Sequence, residues 1–300
     1  MTQAFQHRGQ LATASAEWAK IPLTGLQPRR NLNLSDKKAD WKEALGTLRR
    51  FANSYEYKEP LDDSDAYIAL TKYEKWKEMG EEACSLLIYG IDLGLSGDVL
   101  RPMYQEITAL YCDMGALHQQ AITGMTQEKG EDYGVAAPIE TRTNEYRIAV
   151  TLLSLANLLD AQDDVPAIDE HVLAFDTDQL LDYLCVGGLQ LQEFSEELFH
   201  KRPYGAMKPF FEQLEALPDP LVPYLQNQYT EFFKLSPKQQ KKGGEWLGTG
   251  PWALEVGALS VLYGWDDTAL RSCARYPADL VDYARERMAR SAEATNSADL

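Results

Sequence analysis

The stretch RPMYQEITALYCDMGALHQQA (Arg101–Ala121) decides the fold class. Met103, Ile107, Leu110, Met114, Leu117 and Ala121 recur at intervals of 4, 3, 4, 3 and 4, which places them on one face of a helix of about five turns. Pro102 stands where the reading opens the helix, a position that suits its fixed φ and missing N–H. Working outward, Trp41, Leu45, Leu48, Ala52 and Tyr55 repeat the spacing. So do Ile148, Leu152, Leu155 and Leu159 within Tyr146–Asp160, where flanking apolar residues predict a helix buried on most sides. Leu180, Leu181 and Leu184 predict a further helix with Asp176 or Thr177 as its N-cap, and Trp252–Tyr263 and Pro277–Arg290 predict two more. No segment shows sustained period-2 alternation with β-branched residues, and no Asn-Gly or Asp-Gly turn occurs. The expected fold is all-α, a stack of antiparallel helices in two packed halves.

Polar punctuation places the divisions. Thr126–Asn144 has two glycines, one proline and no apolar stripe, so it reads as a linker between an N-terminal helical half (1–125) and a C-terminal one (145–300). Residues 1–35 read as polar and irregular, and Ser236–Pro251 as a basic, glycine-rich loop. Cys84, Cys112, Cys185 and Cys273 are widely separated among apolar neighbours and read as small buried hydrophobes.

The charge balance is strongly acidic. Against 29 Lys and Arg stand 46 Asp and Glu, a net charge of −17. Such a surface repels phosphate backbones and anionic membranes, which argues against direct nucleic-acid or membrane binding and favours a cationic partner. No stretch approaches the length of a membrane span, and the start MTQAFQHRGQLATASAEW lacks an apolar signal core, so the cytoplasm is the expected location. Between Arg147 and Lys201 there is no Lys or Arg, yet eleven acids: Asp160, Asp163, Asp164, Asp169, Glu170, Asp176, Asp178, Asp182, Glu193, Glu196 and Glu197. A solvated helical face is the plain reading. Concentration without interleaved cations favours a docking surface for a basic partner, with all of these but Asp182 as candidate contacts.

Catalytic chemistry finds little support, and the expected class is a non-enzyme without metal or cofactor. His7, His118, His171 and His200 are scattered without zinc spacing, and neither a G-x-S-x-G elbow nor a phosphate loop occurs. Asp160-x-x-Asp163-Asp164 raises a Mg²⁺-dependent helical enzyme acting on isoprenoid diphosphates, because carboxylates at i, i+3 and i+4 of a helix share a face. Pro166 follows at once, no second carboxylate motif appears, and the cations a diphosphate needs are missing nearby. Glu255, in the apolar run Trp252–Leu259, reads as a buried, partnered structural carboxylate rather than a catalytic acid.

The segment GEWLGTGPWALEVGALSVLYGWDDTALRSCARYPADLVDYA carries a family signature. Its elements are a Gly-rich lead-in, Trp252-x-x-Glu255, the turn Gly264-x-Asp266-Asp267, and Tyr276-Pro277-x-Asp279-Leu280. It resembles the C-terminal region of the PoNi family, polymorphic nuclease immunity proteins. TLLSLANLLDA (Thr151–Ala161) and Asp178–Leu184 extend the resemblance over about Tyr146–Ala284, while the N-terminal half is similar more loosely. Gly248-Thr249-Gly250-Pro251 departs from the aromatic lead-in usual in the family. The resemblance implies neutralisation of a basic DNase toxin delivered between competing bacteria, often by type VI secretion. Trp252, Glu255, Asp266, Asp267, Tyr276, Pro277 and Asp279 read as fold-keeping: a large buried ring, Asp266 or Asp267 capping the helix with Leu270, and a proline-led helix start with Asp279 near its positive end. Occlusion of the toxin's phosphate-binding cleft by the 160–197 acids is the expected mechanism. A toxin-free helical adaptor is the alternative, and both a monomer and a symmetric homodimer are compatible with the sequence.

Overall fold

A computed structural model describes residues 6–29, 32–53, 66–130, 138–143, 145–176, 178–212, 220–228 and 252–298. Among them no strand occurs. The N-terminal half comprises α1 (Gln6–Trp18), α2 (Leu34–Asn53), α3 (Ala66–Leu93) and α4 (Gly97–Lys129). The C-terminal half comprises α5 (Tyr146–Leu158), α6 (Val165–His171), α7 (Gln179–Cys185), short helical turns over Lys201–Glu212 and Leu221–Gln228, then α8 (Leu254–Leu262) and α9 (Ala278–Ala298). Tyr55 and Ser236–Pro251 lie outside the described residues.

The apolar stripe of α4 faces inward, with Met103, Ile107, Leu110, Met114, Leu117 and Ala121 all buried. This helix starts one turn earlier than its sequence predicts: Ser96 is the N-cap and Pro102 lies inside. Close to the N-terminus a proline forfeits one backbone hydrogen bond and is tolerated. Helices α3 and α4 pack side by side because Gly94 (φ +82°) reverses the chain between them. Its N–H bonds the Ile91 carbonyl while that of Leu95 bonds Gly90, the pair of contacts that closes a helix through a left-handed residue.

Two expectations are corrected at the polar stretches. Residues 1–35 are not wholly irregular, because Leu11 and Trp18, two turns apart, bury themselves and hold α1 against α2 and α4. Two apolar residues were too few to read as a stripe. At the other end of the half, Thr126–Lys129 complete α4 rather than open a loop, and Gly130 (φ +69°) ends it by bonding the Thr126 carbonyl.

Helix α5 is the axis of the second half. All thirteen of its residues are buried, against α6, α7, α8 and α9. A fully buried leucine on such a helix contributes roughly 1.5–3 kcal/mol. One apolar cluster runs from Leu11 to Ala284 through both halves. Polar ties cross the same seam: the Trp252 indole N–H donates to the buried Asp92 carboxylate at 2.8 Å, Tyr104 Oη to the Leu152 carbonyl at 3.0 Å, and Tyr283 Oη to Asp98 at 3.0 Å.

Candidate functional site

The signature residues are built into the frame. Asp267, only 4% exposed, accepts from Tyr276 Oη at 2.7 Å, Arg285 Nη1 at 3.0 Å and Arg271 Nε at 3.1 Å. Burial works against its charge, but these three donors outweigh it and hold the carboxyl below the ordinary aspartate range. Neither Asp266 nor Asp267 caps a helix containing Leu270 through its side chain. Leu270–Ser272 is a single 3₁₀ turn, and Asp266 instead accepts from Thr268 N–H and Oγ1 in a local turn. Glu255 is buried with Tyr224 Oη at 3.5 Å, and it shares the surroundings of Tyr204 with the buried Arg147. Pro277 is buried just ahead of α9, and the exposed Asp279 in its first turn accepts from Arg29 Nε.

The acids of the 160–197 window divide by environment. Asp178 is fully buried and cannot present itself to a partner. It, and not Asp176 or Thr177, is the N-cap of α7, accepting from Leu181 N–H at 3.0 Å, Phe199 N–H at 2.9 Å and Tyr146 Oη at 2.9 Å. Desolvation raises its carboxyl above the usual range even so. Asp160 leaves the helix at φ +55° and meets Arg287 at 3.0 Å and Arg101 at 3.8 Å, cations supplied by α9 and α4. Asp176 accepts from Thr141 Oγ1 at 2.5 Å, and Glu197 pairs at the surface with Arg142 at 3.3 Å. Asp163, Glu170, Glu193 and Glu196 are exposed. Asp164 and Asp169 are half-buried with raised carboxyl pKa values, in both cases chiefly from desolvation and then from neighbouring acids.

Asp163, Asp164, Asp169 and Glu170 stand on or beside α6, which packs along α4; of the four, Asp164 and Glu170 line the seam. Helix α6 sits close because residue 115 is glycine: a β-carbon there would fall 1.6 Å from the His171 carbonyl oxygen. Two adjoining hollows follow the seam, of about 570 and 480 Å³, both bordered by Ala116 and His171. Asp113 and Asp164 line the first, Glu170 and Phe175 the second, and neither is lined by Lys or Arg. At the first hollow the Cys112 thiol is pushed up to about 12 by burial and then by Asp164, Asp113 and Glu170. Sequence reasoning missed Asp113 and Phe175. An acid on a long helix resembles any solvated position, and an aromatic between acids resembles a core residue.

The geometry removes the magnesium reading's premise. Helix α5 ends at Leu158, so Asp160, Asp163 and Asp164 do not share a helical face, and Asp160 is occupied by two arginines. Among the described residues no cluster of three His, Cys, Asp or Glu is placed to hold a metal ion.

Residues 176–280 match the family described as PoNe immunity proteins (PoNi), C-terminal, and residues 5–129 match PA2201 N-terminal domain-like proteins. The crystal structure of protein PA2201 from Pseudomonas aeruginosa is similar throughout, with 45% identity, a TM-score of 0.82, and coverage of 93% of this chain and 98% of that one. The chain belongs to the PoNi family. No curated protein matches it. The PoNi match contains every signature residue from Trp252 to Asp279. It begins at residue 176, so Thr151–Ala161, which the sequence resemblance included, lies outside it. No helix among the described residues is long and apolar enough to cross a membrane.

Proposed function

We propose that this chain is a non-enzymatic immunity protein that neutralises a basic, PoNe-type DNase toxin in the cytoplasm, in competition between bacteria of the type VI secretion kind. The observation that carries the reading is the seam between α4 and α6, where Asp113, Asp164 and Glu170 line two hollows and no Lys or Arg does; His171, which borders both, lies 3.9 Å from Glu170. A nuclease must hold phosphates with Lys and Arg, and a surface of this sign steers such a protein into place and covers its cleft. Asp163, Glu193, Glu196 and Glu197 are further exposed acids open to the same partner, with Asp169 and Asp176 partly buried behind them. Asp160 and Asp178 serve the fold. The two helical halves fit this role as domains that form the groove where α4 of the first meets α6 of the second.

A toxin-free adaptor calls for an exposed apolar groove in place of an acidic face, which the carboxylates here argue against. Co-expression with the DNase domain encoded beside it, scored by host survival and co-purification over a salt series, tests the proposal. Rescue with a complex that weakens as salt rises is expected. Host death without a complex refutes it.

A further inference from the structure

The most exposed large apolar side chain among the described residues is Phe175, at 69%. Its position is enforced. Ala174 and Phe175 both adopt left-handed backbone (φ +49° and +62°), which non-glycine residues seldom do and which persists where surrounding contacts impose it. Here Phe175 N–H bonds the Asp169 carbonyl at 3.0 Å, Asp176 N–H bonds Leu173 at 2.9 Å, and Thr141 holds the Asp176 carboxylate. A strained turn thus holds an aromatic ring in water at the rim of the hollow that Glu170 also lines.

We propose that Phe175 and the adjoining groove anchor an arginine-bearing segment of the toxin, the guanidinium stacking on the Phe175 ring while Glu170 answers its charge. This rests on the immunity reading above. The chain contains the same triplet internally: the Arg142 guanidinium lies 4.0 Å from the Phe199 ring centroid and pairs with Glu197 at 3.3 Å. Phe175 and Glu170 present the aromatic and carboxylate halves of that triplet outward. The guanidinium matches both, being planar, weakly hydrated and able to stack. Arginines are what a nuclease exposes to bind phosphate, so the segment that fits the groove is one the toxin needs free in order to act. Asp113 and Asp164, in the neighbouring hollow, suit a second cation of the same segment. Exposed acids then set the rate of encounter, and Phe175 sets the lifetime of the complex.

The test is binding kinetics with the catalytically inactivated DNase domain at low and moderate salt. It compares wild type, Phe175→Ala, Gln119→Lys and Glu193→Lys/Glu196→Lys. Gln119 is exposed and lines the hollow, so a lysine there sets a cation in the groove without touching the core. Phe175→Ala is expected to weaken the complex by about 30-fold, mostly through faster dissociation and with little salt dependence. Gln119→Lys is expected to weaken it about 10-fold, and the glutamate pair to slow association in a salt-dependent way. Weakening by either groove variant at unchanged melting temperature upholds the anchor. Wild-type binding with both groove variants unaffected overturns it and leaves the immunity reading standing. Failure of the wild type to bind overturns both.

Discussion

Replacing Asp267 with asparagine tests the frame on which the proposed docking surface is carried. The buried carboxylate accepts from Tyr276, Arg285 and Arg271 at the corner between α8 and α9. Asparagine keeps the volume and one acceptor but loses the charge. The loss falls short of the 3–5 kcal/mol typical of a broken buried pair, because neither arginine is stranded. Arg271 retains Asp282 at 2.6 Å, Arg285 retains the Trp265 carbonyl at 2.8 Å, and both are about one-third exposed to water. One hydrogen bond to a buried charge, worth about 1.5–3 kcal/mol, and two screened ion pairs worth less than about 1 kcal/mol each, give a net cost of about 2–3 kcal/mol. In a chain of this size that lowers the melting temperature by about 5–10 °C.

The pH dependence carries the sign of the shift. The folded carboxyl lies below its unfolded value of about 3.9, so its stabilisation is fully present above that value and is lost as pH falls through the folded one. Urea unfolding at neutral pH and again under strong acid should therefore show a wide gap between wild type and variant that closes on acidification. A gap below about 0.5 kcal/mol at pH 7, within the range of ordinary surface substitutions, would refute the hub. So would a gap that acid leaves unchanged.

Other perturbations follow the same logic. Trp252→Phe strips the indole donor from buried Asp92 and should cost about 1–3 kcal/mol in urea unfolding. Gly115→Ala drives a β-carbon into the His171 carbonyl and should cost about 1–3 kcal/mol while loosening toxin binding, because α6 must move off α4. Asp178→Ala removes the N-cap of α7 and two further hydrogen bonds, for about 2–4 kcal/mol by thermal melting. Asp164 and Asp169 have raised carboxyl pKa values, so they take up protons before ordinary surface acids as pH falls. Affinity for the basic toxin should drop over that interval ahead of global unfolding, and titration calorimetry of Asp164→Asn/Asp169→Asn should show a flatter pH profile.

Helices that bury a long stripe were legible in the sequence, because 3.6-residue periodicity is local: Met103–Ala121 and Ile148–Leu155 mark the buried faces of α4 and α5, though not their ends. Helix α1 was not, since among its described side chains the buried ones are Leu11, Ser15 and Trp18, too few apolar residues to show a stripe. Charge along the chain was legible, but exposure was not. Asp160 reads as one more acid until Arg101 and Arg287, 59 and 127 residues away, arrive from other helices. In sequence, Asp176 or Thr177 reads as the N-cap in place of Asp178, because capping residues within three positions fit the same turn and only the position of Leu181 N–H chooses among them. The groove needs α4 and α6 brought together at Gly115, which no local pattern encodes.

This division bears on how an immunity protein keeps a fold while changing its partner. The residues that mark the family are mostly interior: Trp252 on Asp92, Glu255 among tyrosines, Asp267 and Tyr276 on each other, Pro277 ahead of α9. Each is constrained by a partner inside the chain, so exchanging it costs stability whatever toxin is bound. Asp163, Glu170, Phe175, Glu193 and Glu196 face water, and their substitution is cheap for the fold. A net charge of −17 therefore combines two populations with opposite consequences. Neutralising Asp160, Asp178 or Asp267 should lower the melting temperature and leave the toxin's affinity per folded molecule intact. Neutralising Glu170 or its exposed neighbours should do the reverse. Thermal melts and binding isotherms on the same variants separate the two populations, and a surface acid whose loss unfolds the chain without weakening the complex would break the partition.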